Sequence, residues 1–501
     1  MYWADSTVKD LSGKQLISTG ISPSGPIHVG NMREILTGDI LYKACMDKNL
    51  ESKFIYLCDD LDPLRKVYPF LNESYSNYVG MPLSYIPSPD GNGTYSEYFL
   101  RPFLQTLDKI NVNVNVIRTT DLYKNGTLSK AIDMAIKNKD RIKEIMHDVA
   151  GNDLSDSWYP YEPRCSSCGK INSSHVISYE YPYAKYKCNF CGNEDRADIR
   201  RDDGKMPWRV EWPAKWFALN VTIEPFGKDH AASGGSYDTG KLIAKDVYHI
   251  NPPVPLMYER ILLKGIGVMH SSTGVSISAA EVIKFAPPEI LRSIIAKNDP
   301  SRHIDFDPGL GLLNLIDDYE KQEKAYFGLE KPNNENYKRI YEMSRIKTLS
   351  APENINFRHI VTLVQIYKNG KSLLDALNRS GYDRDHIDSY LQNEIDTARY
   401  WLETYAPETI KFSLIDTGVD LNDQEKSILK SFSDAIENVE WTSEDLHNTI
   451  HDIIGKYGIT PKNGFSLFYR VFIGKERGPR LGYFMYNLGR DYVHSRISSV
   501  I

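Results

Sequence analysis

The polypeptide has 501 residues, 41% of them hydrophobic and 25% charged, with a formal net charge of -6. This is the composition of an ordinary globular protein able to bury a sizeable core, enough for about three or four domains. The charge excludes an overall basic field, so contact with nucleic acid would rest on a local basic stripe.

No apolar run approaches the roughly 18–20 residues of a membrane helix. The start, Met1-Tyr2-Trp3-Ala4-Asp5, lacks the basic and apolar regions of a signal peptide. The expected compartment is the cytoplasm, with no membrane partner. Of six cysteines, four form two C-x-x-C pairs and two (Cys45, Cys58) stand alone.

In chain order, residues 14–19 read as a short strand entering a Gly/Ser/Pro loop at 20–26. A helix is expected from about 28 to 48, and buried strands over 53–58 and 113–118. Residues 127–149 have helical spacing, and the strand–helix alternation predicts a parallel α/β sheet. The pattern breaks at 160–200, around the paired cysteines, and resumes near 208. Gly/Ser-rich loops follow at 232–240 and 265–278, with a Pro-rich stretch at 251–255. Beyond about 310 the chain reads as helices over 312–328, 335–349, 357–368, 383–405, 422–438, 443–456 and 482–499.

The segment Gly20-Ile21-Ser22-Pro23-Ser24-Gly25-Pro26-Ile27-His28-Val29-Gly30-Asn31 lies between a predicted strand and a predicted helix. Open α/β sheets bind nucleotides there, where free helix N–H groups attract phosphate. His28 and Asn31, three apart, would share one face of a helix. The bland alternative is a helix-capping loop with His28 exposed by chance.

Cys165-x-x-Cys168 and Cys188-x-x-Cys191 are 19 residues apart, and a Gly follows each second Cys. Two such turns aim four thiolates at one point, which suits a closed, structural zinc site.

Trp208, Trp212 and Trp216 fall at i, i+4 and i+8, with Glu211 between them and His230 and Tyr258 downstream. Aromatic walls with a few acids suit a long cationic side chain, holding its stem and binding its ammonium. Core packing of the tryptophans, a surface role for Glu211 and a structural role for His230 are the alternatives.

The string P-S-G-x-x-H-x-G-N resembles the "HIGH" signature of class I aminoacyl-tRNA synthetases. Together with W-R-V-E-W-P-A-K-W (208–216), E-P-F-G-K-D-H-A (224–231), D-D-L-D-P-L-R-K (59–66) and H-I-D-F-D-P-G-L-G (303–311), it resembles the class I lysyl-tRNA synthetases. The resemblance is dense over 14–330 and returns at 474–482. It implies a Rossmann-type α/β catalytic domain over 1–275, with a zinc-ribbon, acceptor-binding insertion at 150–205. A helical connecting domain over 276–350 and an all-α anticodon-binding domain over 351–501 would follow.

The implied activity forms lysyl-adenylate from lysine and ATP with Mg²⁺, then transfers lysine to tRNA(Lys). A monomer is expected, with a structural Zn²⁺ on Cys165, Cys168, Cys188 and Cys191. The resemblance puts ATP at Pro23, Ser24, Gly25, His28, Gly30 and Asn31, and lysine at Gly20, Ser22, Asp60, Trp208, Glu211, His230 and Tyr258. Asp60 and Glu211 are the candidates for the ε-ammonium, although the acids of 59–62 could instead pair with Arg65 and Lys66. His28, Asn31, Met269, Ser271 and Ser272 are the expected catalytic residues. Tyr469, Arg470, Lys475, Arg477 and Arg480 could contact RNA or form a solvated helix terminus.

One stretch departs from the pattern. In the "KMSKS"-like loop, Val268-Met269-His270-Ser271-Ser272-Thr273-Gly274, Val268 and Thr273 stand where lysines are usual. His270 carries charge only below about pH 6.5. Fixed cations at a phosphoryl-transfer centre contribute to rate. A catalytically impaired tRNA-binding paralogue and a sister glutamate enzyme are therefore the two rival readings.

Overall fold

The computed structural model describes residues 1–269, 276–348 and 355–501. It divides into two compact units, the first 1–283, 288–306 and 322–348, the second 284–287, 307–321 and the remainder from 349. The stretch 276–350 is thus shared between the units rather than forming a body of its own.

In the first unit, the strands that matter are β1 (Gln15–Ile21), β2 (Ser52–Cys58), β3 (Asn115–Arg118), β4 (Glu162–Pro163), β5 (Ser174–Glu180), β6 (Tyr183–Cys188), β7 (Glu194–Asp198), β8 (Gly204–Lys205), β9 (Ile223–Gly227) and β10 (Val254–Tyr258). Five of them form one sheet in the order β10-β9-β1-β2-β3. All its pairings are parallel, with Ile17 set against both Phe54 and Ile223, and Ile55 against Asn115. From β1 the chain steps outward to β2 and β3, then returns to the other side of β1 for β9 and β10. That reversal makes the β1/β9 crevice the place where such sheets bind ligands, outside the strand carboxyl ends.

The helix Val29–Asp47 packs against this sheet, and Trp208–Leu219 meets it through Trp212, whose ring lies 5.4 Å from that of Phe226 on β9. The second ends at Asn220, whose φ of 58° is the left-handed stop that Asn tolerates. The predicted helix over 127–149 is two helices, Ser129–Lys137 and Lys139–Ala150, parted at Asn138. The helix Tyr95–Lys109 was not expected: its aromatic content and Pro102 hide a helical pattern that begins with Thr94 capping Glu97 N. A small three-stranded antiparallel ribbon, β5-β6-β7, is closed at its base by the β4/β8 pair.

The second unit is helical among its described residues. Predicted helices appear as Phe357–Ile366, Ser389–Thr404, Asp423–Ala435 and Ser443–Lys456. Gly370–Arg379 and Pro461–Ile473 are additional. The predicted 482–499 helix breaks at Gly489, whose φ is +87°, into Leu481–Leu488 and Arg490–Ser498. Asn369, Asp388, Asn422, Thr442 and Thr460 each cap the following helix by accepting a backbone N–H. The core is aromatic and aliphatic, built from Phe432, Phe468, Phe472, Phe484, Leu446 and Ile450. No helix of the described residues is long and apolar enough to cross a membrane.

Candidate active site

A cavity of about 380 Å³ opens at the β1/β9 reversal. Gly20 and Ile21 end β1, Leu57 and Asp59 come from the end of β2, Phe226 and Gly227 from β9, and Tyr258 from β10. Trp208 and Trp212 wall one side, their rings stacked 5.4 Å apart, and His230 packs against both. Burial among these rings lowers the His230 pKa, favouring the neutral imidazole. Trp216 is core, 1% exposed.

His28 precedes the helix Val29–Asp47 in extended conformation, and Asn31 sits in its first turn. The two therefore do not share a helical face. Instead Asn31 Oδ1 accepts the His28 backbone N–H at 3.2 Å, which fixes the amide beside the imidazole. The loop is strapped to the segment after the second signature: Val29 N donates to Ile277 O at 2.9 Å and Ala279 N to Ile27 O at 3.1 Å. A Cβ on Gly30 would lie 2.8 Å from His28 Cε1, so a larger residue there would push the imidazole out of its position.

Three buried carboxyls reach the cavity. Glu34, one turn beyond Asn31, accepts the Gly20 N–H at 3.2 Å and the Tyr258 hydroxyl. Burial pushes its pKa up to about 7. Glu224 on β9 accepts Trp212 Nε1–H at 2.9 Å. Its Oε2 accepts no hydrogen bond; Ser18 is a near neighbour, but neither buried oxygen meets hydrogen-bond geometry. Burial holds Glu224 well above the usual glutamate value, with Glu34 adding to the effect. Among the described residues, neither acid makes an ion pair with a lysine or arginine.

Asp59, the third, is engaged in a buried ladder of charge. Lys215 Nζ meets Asp59 Oδ1 at 2.5 Å and Glu211 Oε2 at 2.9 Å. Lys205 Nζ meets Asp62 Oδ1 at 2.5 Å and Glu211 Oε2 at 3.4 Å. Tyr123 donates to Glu211 Oε1 at 2.6 Å, and Ser22 Oγ to Asp62 Oδ2 at 2.5 Å. Burial alone would lower both lysines, but the carboxylates outweigh it and hold both ammoniums above their ordinary value. Removing one partner of such a network strands a buried charge, which costs about 3–5 kcal/mol.

Of the lysine-contact candidates, Gly20, Ser22, Trp208, His230 and Tyr258 line the cavity. Asp60 and Glu211 do not, which corrects their reading as ammonium ligands. Glu211 is fully buried and spent on Lys205, Lys215 and Tyr123. Asp60 is turned to Thr120 N at 2.9 Å. In place of the alternative pairing of the 59–62 acids with Arg65 and Lys66, Asp59 pairs with Lys215 and Asp62 with Lys205.

Of the ATP candidates, His28, Gly30 and Asn31 line the cavity, whereas Pro23, Ser24 and Gly25 stand outside it. Ser24 O is taken by the Tyr95 hydroxyl at 2.7 Å. Met269 lines the cavity and is buried. Ser271 and Ser272, with His270, Thr273 and Gly274, lie outside the described residues. Glu34, Asp59 and Glu224 were missed. Glu34 could have been found at Asn31 plus three, and Glu224 as a charge inside a buried apolar strand.

The four paired cysteines converge. All four sulfurs lie within 4.8 Å of one another, with Cys165–Cys191 at 3.5 Å and Cys168–Cys188 at 3.7 Å. Tetrahedral zinc–thiolate bonds of about 2.3 Å set sulfurs roughly 3.8 Å apart, so this donor set fits zinc. Gly169 (φ +74°) and Gly192 (φ +76°) take the left-handed turn after each pair, as that knuckle requires.

A family model described as "tRNA synthetases class I (K)" matches residues 1–347. The chain belongs to this family. A second model, "Anticodon binding domain", matches residues 391–501. A Picrophilus torridus relative named Lysine--tRNA ligase is 64% identical over 501 residues, covering 100% of this chain and 99% of its own. Relatives of the same name from Thermoplasma acidophilum (55%; 100% and 99% covered) and Archaeoglobus fulgidus (40%; 100% and 100%) also align along the full length. The fold is thus the Rossmann-like parallel sheet of class I synthetases followed by a helical anticodon-binding domain.

Within that helical unit, a groove of about 1040 Å³ is lined by His359, Tyr382, His447, Arg480 and Tyr483, among others. Arg480 alone of the five basic and aromatic candidates reaches it. Tyr469 is buried, with its hydroxyl on Pro479 O, and Arg470 pairs with Glu425. Lys475 is tied to Glu408 O and Lys411 O. Arg477 is exposed.

Proposed function

We propose that the chain is a lysine–tRNA ligase whose β1/β9 cavity holds lysine and ATP. The observation that carries this reading is a pair of buried acids in the cavity, Glu34 and Glu224, that form no ion pair among the described residues. One ε-ammonium requires one carboxylate. Glu34, already accepting the Gly20 N–H and the Tyr258 hydroxyl, carries the charge, and Glu224 Oε2 supplies a second acceptor. Trp208 and Trp212 hold the methylene stem. Asp59 faces the α-ammonium: its cluster has three acids and two lysines, so a cation is still lacking there. His28 and Asn31 face the triphosphate.

The lysine carboxylate attacks the α-phosphorus of ATP, and the electron pair of the breaking bridge leaves on pyrophosphate. The terminal ribose hydroxyl of tRNA(Lys) then attacks the adenylate carbonyl, releasing AMP. Bound Mg²⁺ supplies charge neutralisation at the phosphates. The protein's share is positioning and preorganised charge. The Cys165, Cys168, Cys188 and Cys191 cluster holds one structural zinc, and the ribbon it folds serves the acceptor end of the tRNA. The helical groove around Arg480 takes unpaired anticodon bases on its aromatic walls.

A glutamate enzyme would need fixed cations around the side-chain pocket, whereas the charged side chains beside Trp212 and Tyr258 are the acids Glu224 and Glu34. The test is charging of total tRNA with lysine, glutamate and arginine in parallel. Lysine alone should be transferred; charging by glutamate, or none despite tight tRNA binding, refutes the proposal.

Lysine affinity should also depend on pH. The free Glu34 carboxyl sits at about 7, and a bound ammonium lowers it, so binding releases a proton below that pH. Affinity is then expected to rise up to ten-fold per unit as pH rises towards 7, and to level off above. Calorimetry in buffers of differing ionisation enthalpy would show the released proton; flat affinity from pH 5.5 to 8 would count against Glu34.

A further inference from the structure

Between Lys264 and Lys284 the chain contains no lysine or arginine. The second signature loop lies wholly inside that stretch, so it brings no fixed cation to the departing pyrophosphate. The geometry points to Lys228 and Arg260 as the catalytic residues that replace it. This assignment rests on the reading of the cavity as the lysine and ATP site.

Among the described residues, three lysine or arginine side chains line the cavity: Lys215, Lys228 and Arg260. Lys215 is buried and held by Asp59 and Glu211. The other two are open. Gly227 and Tyr258 pair at the ends of β9 and β10. Lys228 is the next residue after one, and Arg260 lies two beyond the other, at the carboxyl edge where nucleotide phosphates bind. Arg260 is also two residues before Leu262, which pairs across an antiparallel hairpin with Val268. It therefore immediately precedes the strand Ile261–Leu263 that pairs with Val268, two residues from the partner of the position where a lysine is missing.

Both cations are available for exchange. Lys228 Nζ pairs with Glu259 Oε2 at 2.7 Å and Arg260 with Asp229, with each cationic side chain 37% exposed. The Arg260–Asp229 pair is exposed on both sides, and such pairs hold weakly; Glu259 is only 17% exposed, but Lys228 itself still lines the cavity. A phosphate offers Arg a bidentate partner and Lys a stronger point charge. As the bond from the α-phosphorus to its bridging oxygen breaks, the electron pair goes to pyrophosphate. The two side chains meet the charge that develops there, a preorganised role whose removal commonly costs about 10²–10³ in rate.

The test is ATP–pyrophosphate exchange with lysine and tRNA present, beside transfer of lysine from isolated lysyl-adenylate to tRNA. Arg260→Ala and Lys228→Ala should each lower exchange by about 100-fold. Lysine KM and the transfer step, which involves no pyrophosphate, should stay within about two-fold. Adding Val268→Lys to Arg260→Ala should recover at least about ten-fold, an outcome no merely structural role for Arg260 produces. Direct binding of inorganic pyrophosphate to the folded double variant should weaken in parallel. Exchange by the double variant within about three-fold of the parent would overturn the assignment and leave the metal ion carrying the charge alone. A parent that exchanges with no lysine at all would instead refute the cavity reading beneath it.

Discussion

Glu34→Gln is expected to raise the lysine KM by about 100-fold while the ATP KM moves less than about three-fold. A hydrogen bond to a charged group contributes about 1.5–3 kcal/mol, and each 1.4 kcal/mol is ten-fold in affinity. The upper end of that range applies because the site is buried and the ammonium has no water to fall back on. The replacement is nearly isosteric. The amide oxygen can still accept Gly20 N–H and the amide nitrogen can donate to the Tyr258 hydroxyl, so the local structure has its partners.

The effect on stability has the opposite sign. Burial raises the Glu34 pKa from its usual 4.5 to about 7. In the free protein that costs nothing below the unfolded value, and the cost grows as pH rises to the folded one. At pH 8 the amide therefore removes a destabilising charge, and the melting temperature should hold or rise. A raised lysine KM in a protein of undiminished stability isolates binding from folding. An unchanged lysine KM would mean the ε-ammonium goes elsewhere.

How far this site could be read from the sequence depended on whether a residue's role is local. His28, Gly30 and Asn31 are set by one loop between one strand and one helix, and their spacing shows it. The four cysteines are set by two tight turns and are equally legible. Choosing among the acids was a different problem. Glu211, Asp59, Asp60, Asp62, Glu34 and Glu224 all look alike as letters. Glu211 is excluded as a ligand only because Lys205, six residues back across the end of the insertion, and Lys215, one turn on, both reach it. Glu34 and Glu224 are favoured only because, among the described residues, no lysine or arginine forms an ion pair with either. Burial and pairing are tertiary facts, and neither periodicity nor composition encodes them.

The helical half shows the same division. Ser443–Lys456 has strong amphipathic spacing and a Thr442 cap, and its bounds were legible. Pro461–Ile473 was lost because Phe, Tyr and Val dilute its helical signature, although Thr460 followed by Pro461 is a good helix start. The break at Gly489 was hidden because helical spacing continues on both sides of it.

Replacing Cys165 and Cys188 by Ser should remove the metal and unfold the ribbon while leaving the five-stranded sheet formed. The ribbon has few apolar residues of its own to bury, chiefly Val176, Ala184, Tyr186 and Ala197. Modules this small do not offset their chain entropy without a staple. Zinc in comparable sites contributes about 10–16 kcal/mol of folding free energy, far more than those side chains can supply at about 25 cal/mol per Å². The parallel sheet takes none of its pairings from the ribbon, so it has no reason to dissolve with it.

The damage should nevertheless reach the cavity. Lys205 sits on β8, the strand that closes the ribbon's base, and its ammonium is held by Asp62 and Glu211. If the base loosens, those two acids lose a cation, Ser22 loses a fixed partner in Asp62, and the wall beside Gly20 is no longer set. The expected result is one zinc per chain falling to none, new protease cleavage confined to about 160–205, and a lysine KM raised with the ATP KM nearly unchanged. Metal analysis, limited proteolysis and steady-state charging would show these together. A variant that loses its metal yet keeps the parent's lysine KM would show that the ladder from Lys205 to Asp59 does not carry the ribbon's state into the site.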